Sequence, residues 1–361
     1  MVILHIACIT NNLFNGVCVA APQHALAQGE YEDVAFLNIN NELIDSLEGG
    51  KVKQFQYTKP FYVCDLPTPF NHPDLVVFHE CYRLDYLSIS KELRKIKIPY
   101  IILPHGELGE RAQRKKFLKK KLANIALFNR FINNASAIQC LSEVELKETA
   151  FNVKKFVESN GIKIPRKKKQ LFHTNRIRIT YIGRLDAYHK GLDLLIEAVA
   201  NVRQQMNDNN ATIDMYGPDL NGRFDYVQSL IEKNKVTDLI RLHHEVSGIK
   251  KEKILLDTDI FIQTSRFEGM PLGVLEALSY GIPCLVTEGT NMGKIILRNK
   301  AGIVAKNNSE DIADKISLIL SKKKVLASMG KNGRAILKKR FTWQNIAIRT
   351  ISKYKEIVWN T

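Results

Sequence analysis

Residues 260–283 read IFIQTSRFEGMPLGVLEALSYGIP, and this stretch decides the fold. Ile260 to Gln263 is a short apolar run that predicts a buried strand. Pro271 suits the first turn of a helix, and Gly281 followed by Pro283 suits its end. A strand, a loop and a helix in this order form part of a βαβ unit, which builds parallel sheets.

Short apolar runs of the same kind recur along the chain, with helical stretches between them. They are Val2 to Ala7, Val34 to Ile39, Leu75 to Phe78, Tyr100 to Leu103, Ala137 to Cys140, Ile177 to Ile182, Thr212 to Tyr216, Ile240 to His243 and Cys284 to Thr287. Most are continuously apolar rather than alternating, as is typical of strands buried on both faces. We therefore predict an α/β fold built from doubly wound parallel sheets.

The length of 361 residues, of which 45% are hydrophobic, predicts two domains. Between the two sets of strands, Glu158 to Arg176 is polar and basic and contains Gly161 and Pro165, which indicates a linker. We expect an N-terminal domain over residues 1–165 and a C-terminal domain over 166–342. Residues 343–361 should form a helix that crosses back to the N-terminal domain.

The cysteines and the N-terminus indicate a reducing, cytoplasmic compartment. The six cysteines lie far apart, without a CxxC pair or a metal-ligand spacing, so neither a disulfide framework nor a zinc site is expected. Met1 to Cys8 lacks the basic region and cleavage site of a signal peptide. No apolar run approaches the roughly 18 residues of a transmembrane helix.

The formal net charge of +16 predicts attraction to an anionic partner, which charge alone cannot identify. Nucleic acid, an acidic membrane and a phosphorylated substrate are the candidates. The excess is concentrated in Arg111 to Lys121 and in Arg166 to Lys169. A solvated helix face or a linker explains each cluster equally well.

The loop and helix start at residues 268–276 have the features of a phosphate and sugar site. The first amides of a helix lack intrahelical acceptors and lie at the positive end of its dipole, so they bind phosphate. Glu268 precedes the helix and Glu276 lies inside it, and carboxylates accept hydrogen bonds from sugar hydroxyls. Spacing alone equally allows a helix cap at Glu268 and a surface residue at Glu276.

A second loop, GRLDAYHKGL at residues 183–192, carries Arg184 and Lys190 into a helix after the predicted strand Ile177 to Ile182. Cations at this position neutralise the charge of a diphosphate leaving group. Ordinary loop cations occur in any basic protein, so the loop alone is weak evidence. Both loops nevertheless follow parallel strands, where open α/β sheets bind ligands.

Glu268 and Glu276 together resemble the E-x7-E element of glycosyltransferase family 4. Gly183-Arg184-Leu185 with Lys190-Gly191 is similar to the phosphate-binding turn of that family. The resemblance covers most of the chain, including weaker matches at Tyr216-Gly217-Pro218 and at Pro104-His105-Gly106. It implies GT-B architecture, in which two Rossmann-like domains face each other across a cleft.

The resemblance also implies roles for particular residues. The C-terminal domain would hold a nucleotide-sugar donor, with a UDP-sugar favoured. Glu268 and His105 would be the catalytic residues at the transferred sugar. The implied contacts are Arg184, Lys190, Gly16, Leu272 and Gly273 on the diphosphate; Glu268, Gly269, Met270 and Pro271 on the sugar; and Glu276 on the ribose.

The family is retaining and independent of metal ions, so no metal and no cofactor is expected. Asp257-Thr-Asp259 spells the DxD signature of a different, metal-dependent class, but Asp259 opens a buried strand here. Retention requires either a covalent intermediate on Glu268 or same-face attack assisted by the departing diphosphate. The sequence offers no convincing second carboxylate, because Glu107 and Glu110 belong to the other domain, so we favour same-face attack.

The acceptor is expected to be a saccharide or a lipid-linked saccharide, in the synthesis of bacterial surface polysaccharide or glycoconjugate. Residues 111–132 mix basic and apolar side chains, a pattern compatible with a helix on the anionic inner face of the plasma membrane. Its apolar side could equally pack on the sheet. Two alternatives are a nucleotide-sugar epimerase or hydrolase of the same fold and a basic nucleic-acid-binding protein. Since no recognition motif appears, a nucleic-acid partner is not expected.

Overall fold

A computed structural model describes residues 1–109, 127–173 and 175–359. The chain divides into two compact units, of which one comprises Met1–Gly161 with Trp343–Thr361 and the other Ile162–Thr342. Each contains one parallel sheet with its own buried core. The predicted α/β class, with two Rossmann-like parallel-sheet domains, is confirmed.

The N-terminal unit contains a seven-stranded sheet in the order β3-β2-β1-β4-β5-β6-β7. Its strands are β1 Val2–Ala7, β2 Asp33–Asn38, β3 Lys53–Gln56, β4 Leu75–His79, β5 Tyr100–Leu103, β6 Ala137–Cys140 and β7 Lys155–Val157. The order reverses beside β1, which is the switch point of a doubly wound sheet. The central strands β1, β4 and β5 are almost wholly buried, which explains their continuous apolar sequence.

The C-terminal unit contains a six-stranded sheet in the order β10-β9-β8-β11-β12-β13. Its strands are β8 Ile177–Ile182, β9 Ala211–Tyr216, β10 Ile240–His243, β11 Ile260–Gln263, β12 Cys284–Thr287 and β13 Gly302–Ala305. Here β8 and β11 are direct neighbours. The loops that follow these two strands therefore meet at one edge of the sheet.

Helices connect the strands of both sheets. Among the described residues, those of the N-terminal unit are α1 Gly16–Gln28, α2 Leu84–Lys95, α3 Asn129–Asn133, α4 Glu143–Glu148 and the last helix of the chain, α14 Trp343–Trp359. Those of the C-terminal unit are α5 Ala187–Lys190, α6 Leu192–Asn201, α7 Arg203–Asp208, α8 Arg223–Lys233, α9 Gly248–Asp257, α10 Leu272–Ser279, α11 Gly293–Arg298, α12 Ser309–Ser321 and α13 Leu326–Arg340. No helix in the described ranges is long and apolar enough to cross a membrane.

Three strands were not predicted: β3, β7 and β13. All three lie at the edges of their sheets, and β3 reads Lys-Gln-Phe-Gln. An edge strand buries fewer side chains than a central one, so it does not need the continuous apolar run used as the criterion. The apolar pattern therefore located the interior of each sheet better than its borders.

The basic stretch interpreted as a linker is partly packed into the two units. In the C-terminal unit, the Lys169 ammonium lies 2.9 Å from a carboxylate oxygen of Asp259, with both side chains fully buried. In the N-terminal unit, Glu158 is buried and pairs with Arg349 of α14 at 2.7 Å. The boundary between the units falls within this stretch, after Gly161. Lys169 and Glu158 are nevertheless buried, because each charge has a specific partner from a distant segment.

Candidate functional site

The loop after β8 is built so that Lys190 ends a single helical turn. Asp186 caps α5 by accepting a hydrogen bond from the amide of His189 at 3.0 Å. Gly191 then ends the turn in the left-handed region, at φ +62°. This cap and this glycine place Lys190 directly before the next helix, α6.

The two predicted loops are packed against each other at Gly191. The Thr264 hydroxyl, just after β11, donates to the carbonyl oxygens of Lys190 and Gly191 at 3.1 and 3.0 Å. A Cβ atom on residue 191 would lie 2.1 Å from the carbonyl oxygen of Thr264. Both the close approach and the positive φ therefore require glycine here.

A buried ion pair joins the two loops. The Lys190 ammonium contacts a carboxylate oxygen of Glu268, and the two side chains are only 10% and 13% exposed. Ser265 donates its hydroxyl to the same oxygen at 2.9 Å. Burial by itself would raise the pKa of Glu268, but the Lys190 ammonium and the Ser265 hydroxyl help to hold it below its ordinary value. Glu268 is therefore an anion at neutral pH, and its nearest cation is a predicted phosphate ligand.

His189 is a member of this cluster that the sequence analysis missed. Its ring stacks on Phe267 at 4.2 Å, and its Nε2–H donates to the carbonyl oxygen of that residue at 2.8 Å. This tautomer leaves Nδ1 as an acceptor, which faces the Arg184 guanidinium at 3.5 Å. Burial lowers the pKa of His189, so the ring orients Arg184 without adding a charge. The sequence signal for His189 was its position directly before Lys190. A single histidine in a loop does not by itself indicate a binding site.

The loop from Glu268 to Pro271 is held in shape by Asn291. The side-chain amide of Asn291 donates to the carbonyl oxygens of Glu268 and Gly269. Gly269, Met270 and Pro271 are buried. The sequence analysis did not single out Asn291, because an asparagine about twenty residues downstream carries no local motif.

Helix α10 begins at Leu272, and Pro271 is its N-cap. The helix thus begins one residue later than predicted, since Pro271 was expected in its first turn. A Cβ on Gly273 would lie 3.3 Å from the carbonyl oxygen of Ile182, the last residue of β8. The helix start is therefore at the same sheet edge as Arg184. Its first amides lack intrahelical acceptors and are available to an anion.

Glu276 lies one turn into α10 and pairs with Lys251 of α9. Its side chain is 27% exposed, so solvent reaches the pair. The predicted ribose contact would have to compete with Lys251 for this carboxylate.

The two carboxylates of the DxD sequence have protein partners. Asp259 is fully buried and accepts hydrogen bonds from the amides of His173 and Arg178 at 3.2 and 3.0 Å, besides pairing with Lys169. Asp257 pairs with the Arg178 guanidinium. Within the described ranges, no group of three or more His, Cys, Asp or Glu side chains is arranged to hold a metal ion.

In the N-terminal unit, His105 follows β5 in a turn with positive φ at two successive residues, +50° at His105 and +91° at Gly106. The buried Glu145 accepts hydrogen bonds from the amides of Gly106 and Leu141 at 2.7 and 2.6 Å. Burial raises the pKa of Glu145 to about 7, although these amides oppose the rise. The Glu107 carboxylate accepts a hydrogen bond from the Cys81 amide at 2.7 Å.

The other predicted contact of this unit, Gly16, is the first residue of α1. Asn15 caps the helix by accepting a hydrogen bond from the Val17 amide at 3.1 Å. Gly16 is exposed, and no atom lies within 4 Å of a Cβ built on it. Space is thus available for a ligand at this helix start, but no neighbouring protein atom requires glycine.

The amphipathic segment predicted over residues 111–132 falls mostly outside the described residues, together with Glu110. Its last part is described, and there Phe128, Phe131 and Ile132 are buried in the core of the N-terminal unit. These three side chains pack on the sheet rather than at a surface.

Comparison with known proteins finds a protein family that is similar to the C-terminal half of the chain. Residues 163–336 match the model of the family described as "Glycosyl transferases group 1". This range contains both loops and α10. The match covers slightly less than half of the chain and shows that this range is similar to the group 1 glycosyltransferases.

Individual proteins that are similar to this chain are also named as glycosyltransferases. An uncharacterized glycosyltransferase of Methanocaldococcus jannaschii is 23% identical over 73% of this chain and 70% of its own length. The N,N'-diacetylbacillosaminyl-diphospho-undecaprenol alpha-1,3-N-acetylgalactosaminyltransferase of Campylobacter jejuni is 26% identical over 52% of this chain and 47% of its own length. Several other curated relatives are matched over less than half of their length.

A solved structure shares the fold of the whole chain. The Anabaena protein HepE, crystallised in complex with UDP, superposes with a TM-score of 0.74 at 16% identity, covering 99% of this chain and 100% of HepE. At this identity the likeness demonstrates the fold alone, which is of the GT-B type.

Proposed function

We propose that this protein is a retaining glycosyltransferase that moves a hexose-type sugar from a UDP-sugar to a saccharide or lipid-linked saccharide. The proposed setting is the synthesis of bacterial surface polysaccharide or glycoconjugate. The observation that carries the proposal is the buried Lys190–Glu268 pair beside Arg184, at the sheet edge where the β8 and β11 loops meet.

The cluster supports a donor site because it supplies what a departing diphosphate needs. Arg184 and Lys190 offer two cations, and the start of α10 adds free amides and a positive dipole end. Lys190 is paired with Glu268. A diphosphate would draw Lys190 away and leave the Glu268 carboxylate available to sugar hydroxyls.

These groups also support a metal-independent reaction. Cations and helix amides at a water-poor site stabilise developing negative charge electrostatically. Both carboxylates of the DxD sequence already hold buried or partly buried cations of the protein. We therefore propose transfer without a metal or another cofactor.

The proposed contacts are those that the resemblance to family 4 implies. Leu272 and Gly273 would offer their amides to the diphosphate, with Gly16 as a further contact at the start of α1. Gly269, Met270, Pro271 and Glu268 would surround the sugar, with Glu276 on the ribose. His105 would contact the transferred sugar, and we favour same-face attack over a covalent Glu268 intermediate.

Names of relatives support the choice of donor and acceptor. The HepE structure holds UDP, and the Campylobacter relative is named for a diphospho-undecaprenol acceptor. A shorter match, 32% identical over 104 residues, is to an Escherichia coli galactosyltransferase named for a UDP-Gal donor and a diphosphoundecaprenol acceptor. We propose the same chemical classes here: a UDP-sugar and a lipid-linked saccharide.

Calorimetric titration with a panel of nucleoside diphosphates tests the donor site. We expect UDP to bind in the micromolar range, and Arg184→Ala and Lys190→Ala each to weaken binding by about 1.5 kcal/mol or more. Arg203→Ala is a matched control, since Arg203 pairs with Asp238 at the surface of the same unit. If no nucleoside diphosphate binds and a polynucleotide does, a nucleic-acid-binding function replaces the proposal.

Acceptor dependence distinguishes a transferase from an epimerase or hydrolase of the same fold. The protein should release UDP from a UDP-sugar faster when a lipid-linked saccharide is added. Release that is indifferent to every acceptor tested would favour hydrolysis, and isomerisation of the sugar without release would favour epimerisation.

A cytoplasmic location on the inner face of the plasma membrane would bring such an acceptor to the site. We propose that the basic side chains within residues 111–132 contribute the contact to anionic lipid, whereas Phe128, Phe131 and Ile132 of this range are buried in the core. Sedimentation with liposomes rich in anionic lipid at low salt tests this, and failure of the protein to sediment would count against it.

A further inference from the structure

Three histidines of the N-terminal unit form a hydrogen-bonded row across three neighbouring strands. His5 Nδ1 lies 2.9 Å from His79 Nε2, and His79 Nδ1 lies 3.0 Å from His105 Nε2. In the register of β1 and β4, His5 lies opposite Val77, which is two residues before His79. In the register of β4 and β5, His79 lies opposite Leu103, which is two residues before His105. Because side chains repeat every two residues on a sheet face, His5 and His79 share one face. His105 follows the end of β5, and its hydrogen bond to His79 makes it the third member of the row.

The inner end of the row is an amide. His5 Nε2 lies 3.1 Å from the Gln28 side-chain oxygen, and His5, His79 and Gln28 are at most 1% exposed. On its other side, Gln28 faces the phenol of Tyr354. Burial raises the pKa of this phenol, and the Gln28 side chain partly offsets the rise. Within the described part of the chain, Gln28 Nε2 makes no hydrogen bond of ordinary length. Gln28 thus lies between His5 and Tyr354.

The hydrogen bond of Tyr354 determines the orientation of Gln28. The Tyr354 hydroxyl donates its proton to the Gln139 side-chain oxygen at 2.8 Å. Only oxygen lone pairs then face Gln28, so the NH₂ group of Gln28 is the favourable neighbour for Tyr354 and the Gln28 oxygen faces His5. His5 must donate through Nε2–H.

That single donor sets the proton positions of the whole row. In a neutral imidazole one nitrogen donates and the other accepts. His5 Nδ1 therefore accepts from His79 Nε2–H, and His79 Nδ1 accepts from His105 Nε2–H. Burial lowers the pKa of His5 and of His105 to about 3, which keeps both rings neutral at physiological pH.

The row does not serve as a proton wire, because a carboxamide at its inner end does not take up a proton. What it transmits is an orientation of hydrogen bonds. We propose that Gln28, His5 and His79 are positioning residues that hold His105 in the Nε2–H tautomer, so that its Nδ1 offers a lone pair to a hydroxyl group. This inference rests on the proposed function. His105 Nδ1 would accept a hydrogen bond from a sugar hydroxyl and could not donate one to a phosphate.

Long-range ¹H–¹⁵N spectra of protein labelled with ¹⁵N-histidine test the proposal, with His105→Gln to assign the signals of His105. In the wild-type protein we expect the ¹⁵N shift of a protonated nitrogen at Nε2 and of an unprotonated nitrogen at Nδ1. In Gln28→Met the shifts of the two His105 nitrogens should approach each other, because both tautomers become populated.

His24→Phe is the matched control, because His24 is a buried histidine of the same unit that bonds to Asn160 at 3.1 Å and contacts the His79 ring, with centroids 6.2 Å apart, without being a member of the hydrogen-bonded row. Its substitution should leave His105 protonated at Nε2 and unprotonated at Nδ1. A proton on His105 Nδ1 in the wild-type protein, or unchanged His105 shifts in folded Gln28→Met, overturns the proposal. If Gln28→Met does not fold, the wild-type spectrum still decides. No substrate is used, so failure of the tautomer lock and failure of the proposed transferase activity are separate results.

Discussion

The Lys190–Glu268 pair yields opposite predictions for two substitutions that each remove one charge. If Glu268 competes with the diphosphate for Lys190, Glu268→Gln should release Lys190 and tighten UDP binding by about threefold to tenfold. Lys190→Met removes the cation itself and should weaken UDP binding by about tenfold or more. Turnover of the UDP-sugar should fall in both variants, because Glu268 is also the proposed sugar contact.

The free energy of unfolding gives a second measurement of the same pair. Removing one partner of a buried ion pair costs about 3 kcal/mol or more, because the other charge is left without compensation. Lys190→Met should therefore be destabilised by about 3 kcal/mol at about pH 8, and the loss should shrink toward pH 5 as the unpaired Glu268 takes up a proton. In the double variant the loss should be about 2 kcal/mol smaller than the sum of the single losses.

Calorimetry with UDP and urea denaturation of the wild type, the two single variants and the double variant measure both effects. Lys167→Met is a control, because Lys167 pairs with Glu252 at the surface and is 67% exposed. Equal weakening of UDP binding by Glu268→Gln and Lys190→Met, or additive losses of stability, would refute competition for Lys190.

Three further predictions concern other contacts. Gly191→Ala should destabilise the protein by about 2 kcal/mol or more in urea denaturation, whereas Gly222→Ala, at a similar φ of +69° but with no atom near the added Cβ, should cost only about 1 kcal/mol; equal losses would show that the Thr264 contact is unimportant. Burial lowers the pKa of His24 to about 4, so the unfolded chain binds more protons between that value and about 6.5, and stability present above pH 6.5 is lost as the pH falls. Replacing His24 by Phe should therefore reduce the loss between about pH 7.5 and pH 5 by about 2 kcal/mol, and an unchanged pH dependence would contradict the neutral state of His24. Lys251→Met should free Glu276 and tighten UDP-sugar binding, while Glu276→Gln should weaken it; calorimetry that shows no effect of Glu276→Gln would remove Glu276 from the ribose site.

The fold class and the two loops of the candidate site could be predicted from the sequence. The apolar runs predicted the central strands because a strand buried on both faces must be apolar along its length. The glycine and proline positions located the start and end of α10 to within a residue, because their backbone preferences act locally. Arg184, Lys190 and Glu268 could be singled out because loops after parallel strands converge at one sheet edge.

The pairing of side chains, in contrast, could be known only from the folded chain. Lys190 and Glu268 lie 78 residues apart, and His5 and His79 lie 74 apart, so no local pattern relates them. Strand order brings β8 beside β11 and β1 beside β4, and it is this adjacency that turns separate residues into an ion pair and a histidine row. The burial of Lys169 could not be predicted for the same reason, since its partner Asp259 lies 90 residues away, just before β11. Backbone preference acts over a few residues and is legible in sequence, whereas side-chain pairing depends on which strands become neighbours.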